Sequence, residues 1–519
     1  MFSSTMQKFI SAEPRVELVY SPENPLGMVV AAARSCYSPE VVGVEDVDLV
    51  DGGRDDGIMR GIYEGGHHTT FQHPSFTFKL SNISRQAIWS FLHAHIFYNS
   101  SQVSQRYVRM GCGNFAIPLL ERDALGIYKG VVRESFQAYG ELIGGLKPFV
   151  EKEFRERFPK PQKGDKLKIE RKAQEIARYV LPVATFANMY HTVNGISLLR
   201  YWRMCNQFDA PLEQRIVVGK MVEELLRLEP KYARILEGPI SLEDTPEYRA
   251  LGGSEPAGDR GFLKEFDASL DGRVSRLIGW EANGEEILAD SVRGVLGMRR
   301  ERMSDDEAVA LALDPSLNPL FGETMNVTTH SKLGKVLHNV HYTFRTKLSH
   351  TGDSQNQRHR MVPGSRPVLS AQLTDEPDYI TPELIMRDSK VRKVYDDIMG
   401  RMWDGFRRLK AEGVPLEFAM YCLPNALPVR FTESGDLASL RHKYAMRLCF
   451  NTQEEIWRAA VEQVGQIREV SPGIGKFLLP PCGLRELADK KPVCPEIKGG
   501  RYCGVPVWGL ELEDYKRLV

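Results

Sequence analysis

Ser349-His350-Thr351-Gly352-Asp353-Ser354-Gln355-Asn356-Gln357-Arg358-His359-Arg360 is the stretch from which the fold of this chain can be read. It sets two guanidiniums and an imidazole within three residues, directly after a polar segment. Burying such groups strips hydration that only an anion or a hydrogen-bond partner replaces. Arginine's planar fork suits phosphate or carboxylate and also stacks on flat rings. In isolation an Arg-x-Arg reads as an exposed basic turn. Here it has an altered echo upstream, Ser84-Arg85-Gln86-Ala87-Ile88-Trp89-Ser90-Phe91-Leu92-His93-Ala94-His95.

The echo is in register. Ser84 and Ser349 lie 265 residues apart, as do His93 and Arg358, and Thr77-Phe78 and Thr343-Phe344 precede the two stretches. Downstream, Leu181-Pro182 matches Leu423-Pro424, Ser197-Leu198 matches Ser439-Leu440, Met204 matches Met446 and Glu213 matches Glu455, each pair 242 residues apart. A constant offset over four landmarks marks a repeat, and its period is that of a whole domain rather than of a solenoid unit. The chain is a tandem duplication.

The totals agree. A length of 519 residues exceeds what one core supports and suits two domains of about 200–250 residues. Lys+Arg 68 against Asp+Glu 68 leaves no net charge, so bulk attraction to nucleic acid or to an anionic membrane is not indicated, whereas a local basic pocket remains open. Met1 to Glu13 carries no apolar core or small-residue cleavage pattern. No apolar run approaches the roughly 20 residues that span a bilayer. Eight scattered cysteines do not make a disulfide framework. A soluble, cytoplasmic protein is expected.

Element signals repeat as well. Val16 to Tyr20 alternates like a strand and is followed by a turn and the helix-like Met28–Ala33. A helix is expected within 43–63, a strand-like run reaches Phe78, and helical spacing covers 85–97, 121–158, 166–180, 195–205 and 211–228. Glycines and Pro256 between Tyr248 and Gly261 mark a linker, after which Arg273 to Gly297 restarts the strand-then-helix order. Helical patterns return at 331–345, 387–412, 436–450 and 453–469. The expected architecture is α+β (α/β-type) and helix-rich: a first copy at 1–245, a linker at 246–268, a second copy at 269–475 and a cysteine-containing tail at 476–519.

Several polar groups recur around these landmarks. Gly65-Gly66-His67-His68-Thr69-Thr70-Phe71-Gln72-His73 joins flexible glycines to three imidazoles that suit a cofactor or a metal, although most histidine-rich loops bind neither. Ser104-x-Arg106 offers a hydroxyl and a guanidinium to a phosphate, in a pattern that is common by chance. Arg178 stands three residues before Leu181-Pro182, and Asn194, Arg200, Arg203 and Arg215 follow. The same frame in copy two gives Met420 for Arg178, Asp436 for Asn194, His442 for Arg200 and Arg447 for Cys205. Each alone reads as a solvated helix face; only the ensemble carries meaning.

As an ensemble the chain resembles the flavin-dependent thymidylate synthase family (thymidylate synthase complementing protein), tandem duplicated. That family is marked by Arg-His-Arg followed by Ser-x-Arg, an upstream Gly-His-x-Ser/Thr-x-Phe-Glu-His, a downstream Arg-x-x-Leu-Pro and an Arg-x5-Gln-x-Glu-Ile. Copy one supplies the histidine element with Gln72 for Glu, Ser104 and Arg106, and Arg178 before Leu181-Pro182. It departs at His93-Ala94-His95 and at Cys205. Copy two supplies Gln355, Arg358-His359-Arg360, Arg447 and Gln453-Glu454-Glu455-Ile456, but lacks the histidine element and the Leu-Pro arginine, and its Ser365-Arg366 falls too early.

The resemblance implies methylation of dUMP to dTMP with FAD, methylenetetrahydrofolate as carbon donor and NADPH as reductant. It implies Arg447 as the group that polarises the pyrimidine, Gln355, Ser104, Arg106 and Arg178 on the nucleotide, and Arg358, His359, Arg360, His67, Thr69, Asn194 and His442 on flavin. The losses are complementary, so each chain is expected to combine both copies in one site, and a homodimer would mimic the family's tetramer. Plain decay of one copy is the rival reading. A non-catalytic FAD- or nucleotide-binding homologue, or one acting on another pyrimidine nucleotide, is the other class.

The tail is read separately. Cys482, Cys494 and Cys503, flanked by Pro481, Gly483, Pro495 and Gly504, suit a small structural zinc site that lacks an evident fourth ligand. Cys422, Cys449 or a histidine would complete it; otherwise no metal binds. Zinc-dependent nucleic-acid binding through this tail is disfavoured by the neutral charge.

Overall fold

The computed structural model describes residues 8–161 and 163–517, so Met1–Gln7 of the leader reading lie outside the described residues. The duplication is visible as two four-stranded antiparallel sheets of identical strand order. In the first, β1 (Arg15–Tyr20), β2 (Ser75–Ser84), β4 (Phe186–Asn194) and β3 (Tyr98–Gln102) lie side by side. In the second the order is β5 (Ser275–Trp280), β6 (His341–Ser349), β8 (Pro428–Asp436) and β7 (Gly364–Ser365).

One bulge explains why the sequence offset slips from 266 at Phe78/Phe344 to 265 at Ser84/Ser349. Between Leu80 and Ile83 the register of β2 shifts against Met189 and Ala187 of β4, whereas β6 pairs with β8 without interruption. The extra residue is accommodated by Asn82 at φ 58, a left-handed conformation that asparagine tolerates better than most residues.

The two copies share a core. The helices Arg122–Arg157 and Ser389–Ala411 each carry an apolar stripe (Tyr128, Val132, Tyr139, Leu142, Leu146; Tyr395, Met399, Trp403, Phe406) and pack on one another. Their stripes belong to one buried cluster with Leu181 of copy one and Leu423 of copy two, while two further clusters lie within the separate copies. The helices approach so closely that a Cβ on Gly405 would stand 2.4 Å from Val131.

Beside this core the segments around the two Leu-Pro pairs run antiparallel. Pro182 bridges Pro424. The Val183 N–H donates to Leu423 O at 2.8 Å and the Asn425 N–H to Leu181 O at 2.7 Å. A pseudo-twofold axis therefore passes between the copies. It also relates the buried carboxylates Glu213 and Glu455. Each accepts the backbone N–H and hydroxyl of the serine that ends its own β2 or β6, Ser84 or Ser349, together with the hydroxyl of a tyrosine from the other copy, Tyr421 or Tyr179. Burial drives both carboxyl pKa values up.

Several element expectations are corrected. The helical reading at 331–345 fails: Leu333–Asn339 forms short 3-10 turns, and His341 onward is β6, where alternating burial overrides the apparent helical spacing. Residues 85–97 hold only Arg85–Ala87 and a π turn at Ile88–Leu92. The linker 246–268 is partly helical, with Pro246–Ala250 and the start of Arg260–Ser269. The tail does not stand apart, because Val507, Leu512 and Tyr515 join the copy-two core. Among the described residues no helix is long and apolar enough to cross a membrane.

Candidate functional site

Arg178 ends the helix Asp165–Ala177 just before the Leu-Pro bridge, which carries it across to copy two. There its Nη2 donates to Gln453 Oε1 at 2.5 Å, and Gln355 Nε2 donates to the same oxygen at 2.9 Å. Arg447 Nη2 in turn donates to Gln355 O at 2.7 Å. Arg106, just after β3 of copy one, donates to Asn451 O at 2.7 Å and pairs with Glu175, which Lys172 also contacts at 2.8 Å. Arg106 and Arg178 from one copy thus meet Gln355 and Arg447 from the other within a single chain.

The cluster is poised for an anion. Arg178 is 3% exposed, and the Nε atoms of Arg178 and Arg447 are buried without a hydrogen-bond partner among the described residues. Burial, with the cations of Arg106 and Arg358 nearby, pulls Arg447 down to about 10, which leaves it cationic at neutral pH. Burial lowers Lys172 to about 8, with Glu175 opposing. Burial works against both Glu175 and Arg106, but their mutual attraction wins, lowering the carboxyl and raising the guanidinium. Arg106, Lys172, Glu175 and Arg447 line one cavity of about 480 Å³. Ser104 stands beside it, with its Oγ accepting the Arg106 N–H at 3.2 Å.

A second cavity, of about 420 Å³, is bounded by Arg358 and Arg360 together with Tyr98, Asn99, Ser100, Ser101, Tyr190 and Thr192 of β3 and β4. Guanidiniums, hydroxyls and two phenol rings suit a ligand with both phosphate and a flat ring, so these residues fit FAD. His359 Nε2 is buried without a partner among the described residues, and its ring lies 5.9 Å from that of His442. Thr192 leads along β4 to Asn194, which caps the helix Gly195–Arg203 by accepting the Ser197 N–H at 2.9 Å. The loop at 68–72 packs against that helix, leaving His67 and Thr69 exposed and not in the wall of the cavity.

The altered motif of copy one lies in the same place. His93 stacks on Tyr98 at 4.7 Å and 4°, and Arg360 sits over that ring at 5.2 Å. Burial first, then the cations of Arg85, Arg358 and Arg360, push His93 down to about 3; burial and Arg360 push His95 down to about 4. Arginines at 93 and 95 would crowd four guanidiniums onto Tyr98. Neutral imidazoles let Arg358 and Arg360 remain.

The pseudo-symmetric counterpart of the arginine cluster has the opposite character. Met420, Cys205 and Ser90 stand where the working half has Arg178, Arg447 and Gln355. Two buried acids lie close by in the chain, of which Glu417 matches Glu175 of the working half and Asp209 stands where that half has Asn451. Asp209 accepts the Leu369 and Ser370 N–H groups at 2.9 Å each, and Glu417 accepts those of Leu212 and Glu213 at 3.1 and 3.2 Å. Burial raises both acids, Glu417 to about 8. This half lacks the guanidiniums that would hold an anion.

Sequence reading passed over Lys172 and Glu175. The signal that could have found Glu175 is its 242-residue match to Glu417, visible once the offset is known. The zinc expectation is corrected: among the described residues no three histidine, cysteine, aspartate or glutamate side chains converge to hold a single metal ion.

Fold and site together define a duplicated α+β protein that builds a cationic cleft of about 480 Å³ from both its halves. The model of the thymidylate synthase complementing protein family matches residues 17–231 and again 284–473. The chain belongs to that family, twice over. It is similar to the flavin-dependent thymidylate synthase of Clostridium tetani, 29% identical over 221 residues that cover 42% of this chain and 84% of that relative. The synthase of the same name from Geobacter sulfurreducens is 30% identical over 173 residues, 33% of this chain and 70% of that one. Among solved structures, a UMP/dUMP methylase of Streptomyces cacaoi bound with 5-Br dUMP aligns at TM-score 0.31 and 24% identity, covering 43% of this chain and 95% of that one.

Proposed function

We propose that the chain methylates dUMP to dTMP, with FAD, methylenetetrahydrofolate and NADPH, at one composite site per chain. The observation that carries this reading is the meeting of Arg106 and Arg178 with Gln355 and Arg447 across the pseudo-twofold axis. Arg106, Arg178 and Ser104 hold the phosphate, and Gln355 orients the base. Arg447 presents a buried cation to the pyrimidine ring and draws electron density from it, a role in which desolvation strengthens the field. Flavin, when bound, supplies the redox chemistry. Arg358, Arg360 and His359 hold its phosphates and ring, and Asn194 and His442 flank them. The exposed His67 and Thr69 complete the flavin site of a second chain, so the working unit is a cytoplasmic homodimer.

Met420, Cys205 and Ser90 in the places of Arg178, Arg447 and Gln355 support one site rather than two. The test is the absorbance of the purified protein with flavin counted per chain, followed by dUMP-dependent NADPH oxidation. About one FAD per chain with nucleotide-dependent turnover is expected; a colourless protein without nucleotide affinity would return the chain to the class of non-catalytic homologues. Arg447→Ala should abolish turnover while flavin stays bound, and unchanged turnover would remove its assigned role. If UMP replaces dUMP as the better substrate, the site serves another pyrimidine nucleotide.

A further inference from the structure

We infer that Cys449, Cys482, Cys494 and Cys503 hold an iron–sulfur cluster of the four-iron type in the wall of the cavity that Arg106 and Arg447 also line. All four cysteines border that one cavity. None of them is in a disulfide, and the chain's other four cysteines are placed elsewhere: Cys36 and Cys112 are exposed, and Cys205 and Cys422 are buried in other parts of the core.

The four thiols come from four separate places in the backbone. Cys449 lies just past the helix Leu437–Arg447, Cys482 in the helix Pro481–Leu487, Cys494 immediately before the turn Pro495–Ile497, and Cys503 in the loop beyond. Gly500 and Gly504, at φ 64 and 82, allow the turns that bring Cys503 back, and a Cβ on Gly504 would stand 2.7 Å from the Phe158 ring. The tail is folded so that its three cysteines border the same cavity as Cys449.

The kind of centre follows from the spread. A single zinc ion draws its ligands to one point at about 2.3 Å from each sulfur, and no such convergence exists among the described residues. In a four-iron cluster each thiolate binds a different iron, so four separated sulfurs around a void are what is required. The inference stands apart from the nucleotide reading, because metal content is measured without substrate.

The experiment is anaerobic purification of the full chain from iron-supplied cells, with iron, zinc and acid-labile sulfide counted per chain and flavin subtracted. About four irons and four sulfides per chain are expected, with visible absorbance beyond the flavin bands that bleaches on reduction by dithionite. Cys482→Ser and Cys494→Ser should each lose most of the iron and sulfide, and Cys112→Ser should keep both. Because a tail variant can lose its fold, the parent protein is also stripped by chelator and rebuilt with ferrous iron and sulfide, and recovery of both in equal amount supports the assignment. Zinc at about one per chain, iron without sulfide, or no uptake on rebuilding would overturn it. Loss of dUMP turnover with the cluster intact would count against the nucleotide reading alone.

Discussion

Replacing Arg178 by methionine gives the working half the residue that the other half already carries at Met420. Arg178 is buried and spends one hydrogen bond on Gln453, with Nε unpartnered. Its removal strands nothing. Glu175 keeps Arg106 and Lys172, and Gln453 keeps Gln355 and Tyr179. Taking out a buried cation of this kind is close to neutral for stability, and replacing it with an apolar side chain of similar length is often stabilising. Unfolding should therefore shift by no more than about 1 kcal/mol, a few degrees in Tm.

Binding should behave in the opposite way. A charge-assisted hydrogen bond to phosphate is worth about 1.5–3 kcal/mol, so dUMP affinity should fall by about 10- to 100-fold. The assay is calorimetric titration with dUMP beside a ligand-free thermal melt. Arg178→Lys should recover part of the affinity, since it keeps the charge but not the fork. A melt lowered by many degrees with dUMP affinity unchanged would show that Arg178 braces the two copies together and does not hold nucleotide.

Three further outcomes are expected. Glu417 has its pKa raised by burial from 4.5 to about 8, so the native state holds its proton and stability falls as pH rises through that window; Glu417→Gln should flatten the fall and raise stability at the alkaline end, as read by urea unfolding at several pH values. His93→Arg should add a buried cation beside Arg85, Arg358 and Arg360 and destabilise the fold by about 3–5 kcal/mol, or fail to yield soluble protein; a fully stable variant would mean the imidazole is not needed there. Gly405→Ala should cost about 1–3 kcal/mol through its clash with Val131, despite alanine's better helix propensity, and a more stable variant would show that the helix pair can separate at little cost.

The duplication was legible because landmark residues keep their spacing, and the long amphipathic helices were legible because their stripes recur every three to four positions. The helices Arg122–Arg157 and Ser389–Ala411 fall within a residue or two of their expected ranges. Strands β3, β4, β7 and β8 left no usable trace. Pro428 to Phe431 of β8 is buried residue after residue, so the alternation that betrays a half-exposed strand is missing, and β7 is only two residues long. The arginines and glutamine of the site were reached through the family resemblance, since each alone reads as a common pattern. Their meeting was not readable, because it depends on the Leu-Pro segments crossing between copies, a contact without a local signature. The neutral state of His93 and His95 was hidden for the same reason.

Those two histidines bear on why the altered copy need not be a decayed one. In an assembly of identical subunits every substitution appears at every equivalent position, so a site cannot lose a group on one side of a symmetry axis and keep it on the other. Covalent fusion removes that restriction. Around Tyr98 the fused chain keeps guanidiniums from one copy and neutral rings from the other, which relieves a repulsion that two unaltered copies would place there. Around Met420 it replaces the arginines with the uncharged Met420 and Cys205, beside Asp209 and Glu417, whose carboxyls accept neighbouring backbone N–H groups. Two of the replacements are bonded into place: His93 Nε2 pairs with Ser100 Oγ at 2.9 Å, and Asp209, where copy two has Asn451, accepts the Leu369 and Ser370 N–H groups. Restoring arginine at Met420 and Cys205 together should therefore not create a second nucleotide site, because Ser90 still stands for Gln355 and Asp209 for Asn451. A doubling of dUMP bound per chain in that variant would show the second half to be merely worn.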